Sequence, residues 1–147
     1  MYLLDSDVLT LLFHRKGQQL FLEQRILSQP AEKLFISIIS VDEALRGVRR
    51  LIDNPPSKDG GWEGCRLLRK IMKAYSGFEI CPYTPEATAI FKTMPAAAKR
   101  KGSNDCKIAA IALSRGFTVI TRNVADYREI PDVDFEDWTA EKILRRI

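Results

Sequence analysis

At 147 residues, with 46% apolar and 29% charged side chains, the chain has the size and balance of one globular domain spanning residues 1–147. No apolar run approaches the roughly 18 residues of a transmembrane helix, and Asp5 and Asp7 interrupt the N-terminus before a signal-peptide core can form, so a cytoplasmic protein without a membrane segment is expected. The net charge of +4 leans towards a polyanionic partner, but only weakly.

The first residues, Tyr2-Leu3-Leu4, read as a short buried strand that hands over at Asp5 to a helix from about Ser6 to Phe13. Gly17 is a turn signal. A second amphipathic stretch runs from Leu20 to Leu27, before Pro30. The β-branched run Leu34–Ile39 is of strand length. Ser40 closes it, and Val41 to Ile52 has helical periodicity. Asn54 to Gly61 is a loop by composition. The next helix separates Leu67, Leu68, Ile71, Met72 and Tyr75 from a basic stripe of Arg66, Arg69, Lys70 and Lys73. That stripe is either a solvated face or a surface for a phosphate backbone.

Phe78 to Tyr83 reads as a third strand, with Pro82 marking its end or a sheet edge. Thr84-Pro85-Glu86 is a helix start with a hydroxyl cap, proline at the first position and an acid in the first turn. After Met94-Pro95 comes the basic run Lys99-Arg100-Lys101, then Gly102-Ser103-Asn104-Asp105. Ile108 to Leu113 is a small-residue helix ending near Gly116, expected to pack centrally on a sheet. Phe117–Thr121 is a fourth strand, Arg122–Tyr127 the loop after it, and Val133–Phe135 a short fifth strand before Trp138 and a basic C-terminal helix. Strands alternating with helices indicate an α/β fold with a largely parallel sheet.

Cys65, Cys81 and Cys106 have neither zinc-ribbon nor redox-pair spacing and read as reduced, mostly packed thiols. His14 is the single histidine and builds no triad; it is expected at the surface or a helix end.

Three acids occupy equivalent places. Asp5 ends strand one, Glu43 lies three residues beyond strand two, and Asp105 begins the helix before strand four; Asn123 and Asp126 follow strand four. In a parallel sheet, ligands bind at the carboxyl ends of the strands. Each acid also has a purely structural role open to it. Asp5 can cap the first helix, Ser40 and Glu43 can form a capping box, and Asp105 can complement a helix dipole. Together they point to one divalent-metal site, because clustered carboxylates repel unless a cation compensates. Oxygen ligands without Cys or His select Mg²⁺ or Mn²⁺ over zinc. Such an ion can activate water against a phosphodiester, which removes the need for a catalytic histidine.

Leu3-Leu4-Asp5-Ser6-Asp7-Val8-Leu9, Ser40-Val41-Asp42-Glu43 with Gly47, Asn104-Asp105-Cys106-Lys107-Ile108-Ala109-Ala110 and Val119-Ile120-Thr121-Arg122-Asn123 resemble the four PIN-domain motifs, in the family's order. Asp126 to Pro131 and Glu136-Asp137-Trp138 resemble the VapC-type toxins within that family. The resemblance implies a three-layer α/β/α sandwich with a mainly parallel central sheet and a Mg²⁺- or Mn²⁺-dependent endoribonuclease. It also implies a toxin, usually homodimeric, neutralised by a VapB-like antitoxin that enters the acidic groove. By position, Asp5, Glu43 and Asp105 are then catalytic metal ligands, and Ser6 supports the site by hydrogen bonding. Many PIN domains carry a fourth acid where this chain has Asn123. Asn123 can orient water, and Asp126 can supply the charge as a further ligand.

Lys99, Arg100 and Lys101 are the expected contacts to the RNA backbone. Two other functions remain open. One is a PIN fold that binds RNA or protein without catalysis. The other is a haloacid dehalogenase-type phosphatase with Asp5 as nucleophile and Asp7 as general acid; that family needs a late acidic pair, which Thr121-Arg122-Asn123 does not offer. Asp7 otherwise reads as a first-turn helix acid.

Overall fold

The computed structural model describes residues 1–14, 19–58 and 60–146. Gly17, the expected turn, lies outside them. Among the described residues, six strands form one sheet: β1 (Tyr2–Leu4), β2 (Leu34–Ser37), β3 (Glu79–Cys81), β4 (Thr118–Ile120), β5 (Phe135–Asp137) and β6 (Leu144–Arg145), in the spatial order β3-β2-β1-β4-β5-β6. All pairings are parallel except β5 with β6. The expected α/β architecture is therefore present, and β3 does sit at the sheet edge, as Pro82 implied.

Alternation along the short strands builds two cores. Leu3, Phe35, Val119 and Phe135 face one side, and Leu4, Leu34, Ile36 and Ile120 face the other. The first side is covered by α5 (Pro85–Thr93), α6 (Ala96–Lys101) and α7 (Ser103–Arg115). Cys106 and the run Ile108 to Ala112 of α7 are all buried, which makes it the central helix its small residues required. The helix ends where Gly116 turns left-handed at φ 65°. The second side is covered by α1 (Ser6–His14), α2 (Leu20–Leu27), α3 (Ile38–Asp53) and α4 (Trp62–Tyr75). A short α8 (Val124–Tyr127) follows β4. Cys81 and Cys106 are buried free thiols, whereas Cys65 is exposed on α4.

The second strand stops earlier than its β-branched run implies. Ser37, in extended conformation, is the N-cap: its hydroxyl accepts from Ser40 N–H at 2.9 Å, and α3 begins at Ile38. A satisfied cap outweighs the modest strand preference of Ile38 and Ile39. The capping box expected of Ser40 and Glu43 does not form, and Glu43 is left for another use.

The C-terminal segment is also not the expected helix. The Arg25 guanidinium donates to the carbonyls of Trp138, Ala140 and Glu141 at 2.6–2.7 Å, which removes acceptors a helix would need. The chain then returns as β6 beside β5. Trp138 is buried against Tyr2, with ring centroids 4.8 Å apart.

Candidate active site

Leu4 is in register with Ile36 and Ile120, so Asp5 emerges from β1 between the ends of β2 and β4. Its N–H still bonds Ile120 O at 2.9 Å, while its own carbonyl accepts from Leu9 N–H as the start of α1. Asp5 is thus both the last rung of the sheet and the cap of the helix. The residue is 3% exposed. Oδ1 accepts from Ser6 N–H and Oδ2 from the Thr121 hydroxyl, both at 2.8 Å. Burial first, then the charges of Asp7 and Asp105, hold its pKa well above the ordinary carboxylate value, and the two donors only soften that rise.

Glu43 projects from the second turn of α3 to meet two other elements. Oε2 accepts from the Ser6 hydroxyl and Oε1 from Asn104 Nδ2 at 2.8 Å. Asp105, in the first turn of α7, accepts from Asn123 Nδ2 at 3.1 Å. Burial, followed by repulsion from Glu43 and Asp126, raises its pKa from 3.8 to about 6. Gly102 matters here for space: a Cβ on it would stand 2.9 Å from Asp105 Oδ2.

Asn123 bridges two acids, because Nδ2 also donates to Asp126 Oδ2 at 2.7 Å. Asp126 is the acid whose charge is already answered. Lys101 Nζ lies 2.6 Å from its Oδ1, and this contact, with the one from Asn123, lowers its pKa. Lys101 also pairs with Glu129 at 2.9 Å. The other two basic residues expected at the RNA divide: Lys99 donates to carbonyls of Phe91 and Lys92, whereas Arg100 is exposed.

Asp7 lies in the first turn of α1, as its position implied, and its Oδ2 accepts from Arg122 N–H at 2.9 Å. Its Oδ1 is buried without a hydrogen-bond partner, and burial raises its pKa. A carboxyl tied to a backbone amide is poorly placed to act as the general acid of a phosphatase.

Three contributors carry no role in the sequence reasoning. Thr121 donates to Asp5 and accepts from Asn123 N–H at 3.0 Å, so one hydroxyl ties the loop after β4 to the acid after β1. Asn104 holds Glu43. Tyr127 is fully buried, with its hydroxyl close to Asp5 but in no well-formed hydrogen bond; burial, then the charges of Asp5, Asp105 and Asp7, drive its pKa well above 10. Thr121 and Asn104 sit inside PIN-like motifs of the sequence, yet only strand register shows what they touch.

Residues 2–133 match the family described as PIN domain. The chain belongs to the PIN domain family. It is similar to Ribonuclease VapC1 of Haemophilus influenzae strain R2866, 25% identical over 141 residues covering 95% of this chain and 98% of that one. Among solved structures, FitAB bound to an IR36 DNA fragment superposes with a TM-score of 0.73 at 25% identity, covering 97% of this chain and 98% of that chain. VapBC2 from Rickettsia felis, bound to a promoter DNA fragment, gives 0.71 at 22% identity over 93% and 98%. These superpositions agree with the three-layer PIN-like sandwich.

For a PIN domain the question is whether these acids fit a cation. The donors are all oxygen, and among the described residues no histidine or cysteine accompanies them, which suits a hard divalent ion. The raised pKa values of Asp5 and Asp105 come first from burial and then from neighbouring carboxylates, and a cation would relieve both. Among the described residues, no three acids already stand close enough to surround one ion; each is held by a neutral donor instead. In chemical kind the set fits.

Proposed function

We propose that this PIN domain is a Mg²⁺- or Mn²⁺-dependent endoribonuclease, the toxin of a VapBC-like pair that works in the cytoplasm. The observation that carries this is that Asp5, Glu43 and Asp105, from three different elements, lie within electrostatic reach of one another at the carboxyl end of the central strands, cross-braced by Ser6, Asn104, Thr121 and Asn123. Similarity to Ribonuclease VapC1 supports the substrate class. Solved VapBC complexes with this fold support a VapB-like antitoxin as partner.

Asp5, Glu43 and Asp105 would hold the ion. Once bound, a divalent cation supplies charge stabilisation at the phosphodiester and a more reactive water. The chain's own residues do the positioning. Ser6 and Asn104 fix the two oxygens of Glu43, and Thr121 fixes Asp5. Asn123 holds Asp105 in place without cancelling its charge.

The test is cleavage of a mixed RNA with Mn²⁺, with and without EDTA, for the wild type, Asp5→Asn and Asp105→Asn. Metal-dependent cleavage lost in both folded variants is the expected result. Near-wild-type cleavage by either variant would overturn the shared site. A PIN fold that only binds RNA or protein is favoured by Asn123 standing where many relatives have an acid, and it predicts binding without cleavage at any metal concentration.

A further inference from the structure

Two adjoining hollows lead away from the acids. The first, about 510 Å³, starts at Ser6 and Glu43 and runs between α1, α3 and α4 to Ile71 and Tyr75. The second, about 640 Å³, shares Phe13, Leu51 and Leu67 with it and is rimmed by Arg66, Arg69, Lys70 and Lys73 of α4. Each is within the roughly 300–1,000 Å³ that holds a nucleotide-sized ligand. The pair makes one groove with an acidic end and a basic end.

The four basic residues form the outer stripe of α4. Arg69 and Lys73 are exposed and, among the described residues, have no ionic partner. Arg66 pairs with Glu63 at 3.0 Å and stacks over Trp62, which is 60% exposed. Lys70 reaches Phe13 O at 3.2 Å across the groove. Cations at helical spacing beside an exposed ring such as Trp62 are the combination that tracks a single strand: charges for phosphates, the ring for a base. By contrast, Lys99 and Lys101 are occupied by contacts within the protein.

We infer that the α4 basic face is the main RNA-backbone contact, holding the single strand beside the nucleotides that lie at the acids. This rests on the ribonuclease reading. An acidic protein segment would meet the same charges, but cations alternating with an exposed ring suit a strand whose phosphates alternate with bases.

The test measures binding of a single-stranded RNA oligonucleotide by fluorescence anisotropy, in EDTA, from about 50 to about 200 mM salt. Arg69→Gln/Lys73→Gln removes two exposed charges without touching the core. Each phosphate contact contributes about 0.7 to the slope of log affinity against log salt, so the slope should flatten by about 1.4 and binding at low salt should weaken about tenfold. Arg46→Gln/Arg49→Gln, equal in charge and lying on the outer face of α3, should leave the slope in place. An unchanged slope in the α4 variant, or equal loss in both, overturns the inference. So does RNA binding that persists while association with a partner protein is lost. Because binding is read without metal, a wild type that binds through α4 but never cleaves would refute the ribonuclease reading and leave the binding face standing.

Discussion

Asp105 offers the sharpest quantitative test of the proposed cation site. Its carboxyl is held at about 6 instead of 3.8, first by burial and then by Glu43 and Asp126. Each pH unit corresponds to about 1.4 kcal/mol, so the full shift corresponds to roughly 3 kcal/mol against the folded state. The carboxyl is only partly buried, and solvent screening reduces this to about 1–1.5 kcal/mol. The sign follows from the direction of the shift. A carboxyl whose pKa is higher folded than unfolded carries no penalty below about pH 4. The penalty grows as pH rises through about 6, and it is complete above that.

Asp105→Asn removes the charge while keeping an oxygen to accept from Asn123. In EDTA at about pH 7.5 the variant should therefore melt about 2–5 °C above the wild type. The gap should close as pH falls towards 4, where the wild-type carboxyl is already protonated. Adding Mn²⁺ should raise the wild-type melting temperature and not that of the variant, since a ligand of the native state stabilises only what binds it. Thermal unfolding followed by circular dichroism reads all three. A variant less stable than the wild type in EDTA, or a gap that does not change with pH, would refute the idea that Asp105 is a strained anion awaiting a partner.

Three further substitutions probe the braces and the groove wall. Thr121→Val removes the donor to Asp5 and the acceptor for Asn123 N–H, so it should cost about 1–3 kcal/mol in denaturant unfolding and lower cleavage as well; full stability would show that the hydroxyl is incidental. Asn123→Asp places a third charge between Asp105 and Asp126 and should lower metal-free stability by roughly 1 kcal/mol while enlarging the thermal shift produced by Mn²⁺. An unaltered Mn²⁺ shift would place position 123 outside the ion's reach. Gly47 lies mid-helix, and a Cβ added to it would meet nothing within 4 Å, so Gly47→Ala should stabilise by about 0.5–1 kcal/mol in the same unfolding assay; a loss would show that the groove wall cannot take a methyl group.

The acids are readable in the sequence because each is tied to the end of an element, and element ends show in composition. Asp5 follows three apolar residues, and Asp105 opens a helix that starts after Gly102. Their supports are not readable. Thr121 serves Asp5 only because β1 and β4 pair with Leu4 beside Ile120, a register no local pattern encodes. The start of α3 falls three residues before the expected one, since Ser37 and Ser40 are both plausible caps and the choice lies in which hydroxyl the buried turn can use. The C-terminal strand is hidden for a similar reason: a basic amphipathic stretch has helical propensity, but Arg25, more than a hundred residues earlier, claims its carbonyls.

The way the acids are held also ranks them as ligands. Ser6, Asn104, Thr121 and Asn123 are neutral donors, which orient a carboxylate while leaving its full charge in place. A lysine does the opposite: it orients by cancelling. Asp126 alone among these acids is met by an ammonium, at 2.6 Å, and that contact lowers its pKa. A divalent ion approaching it must compete with Lys101, whereas at Asp5 and Asp105 it would relieve repulsion that is already present. We therefore propose that Asp126 anchors Asn123 and Lys101 at the rim instead of serving as a further ligand. Asn123 donates to both Asp105 and Asp126 and, as a neutral amide, leaves the charge of each in place.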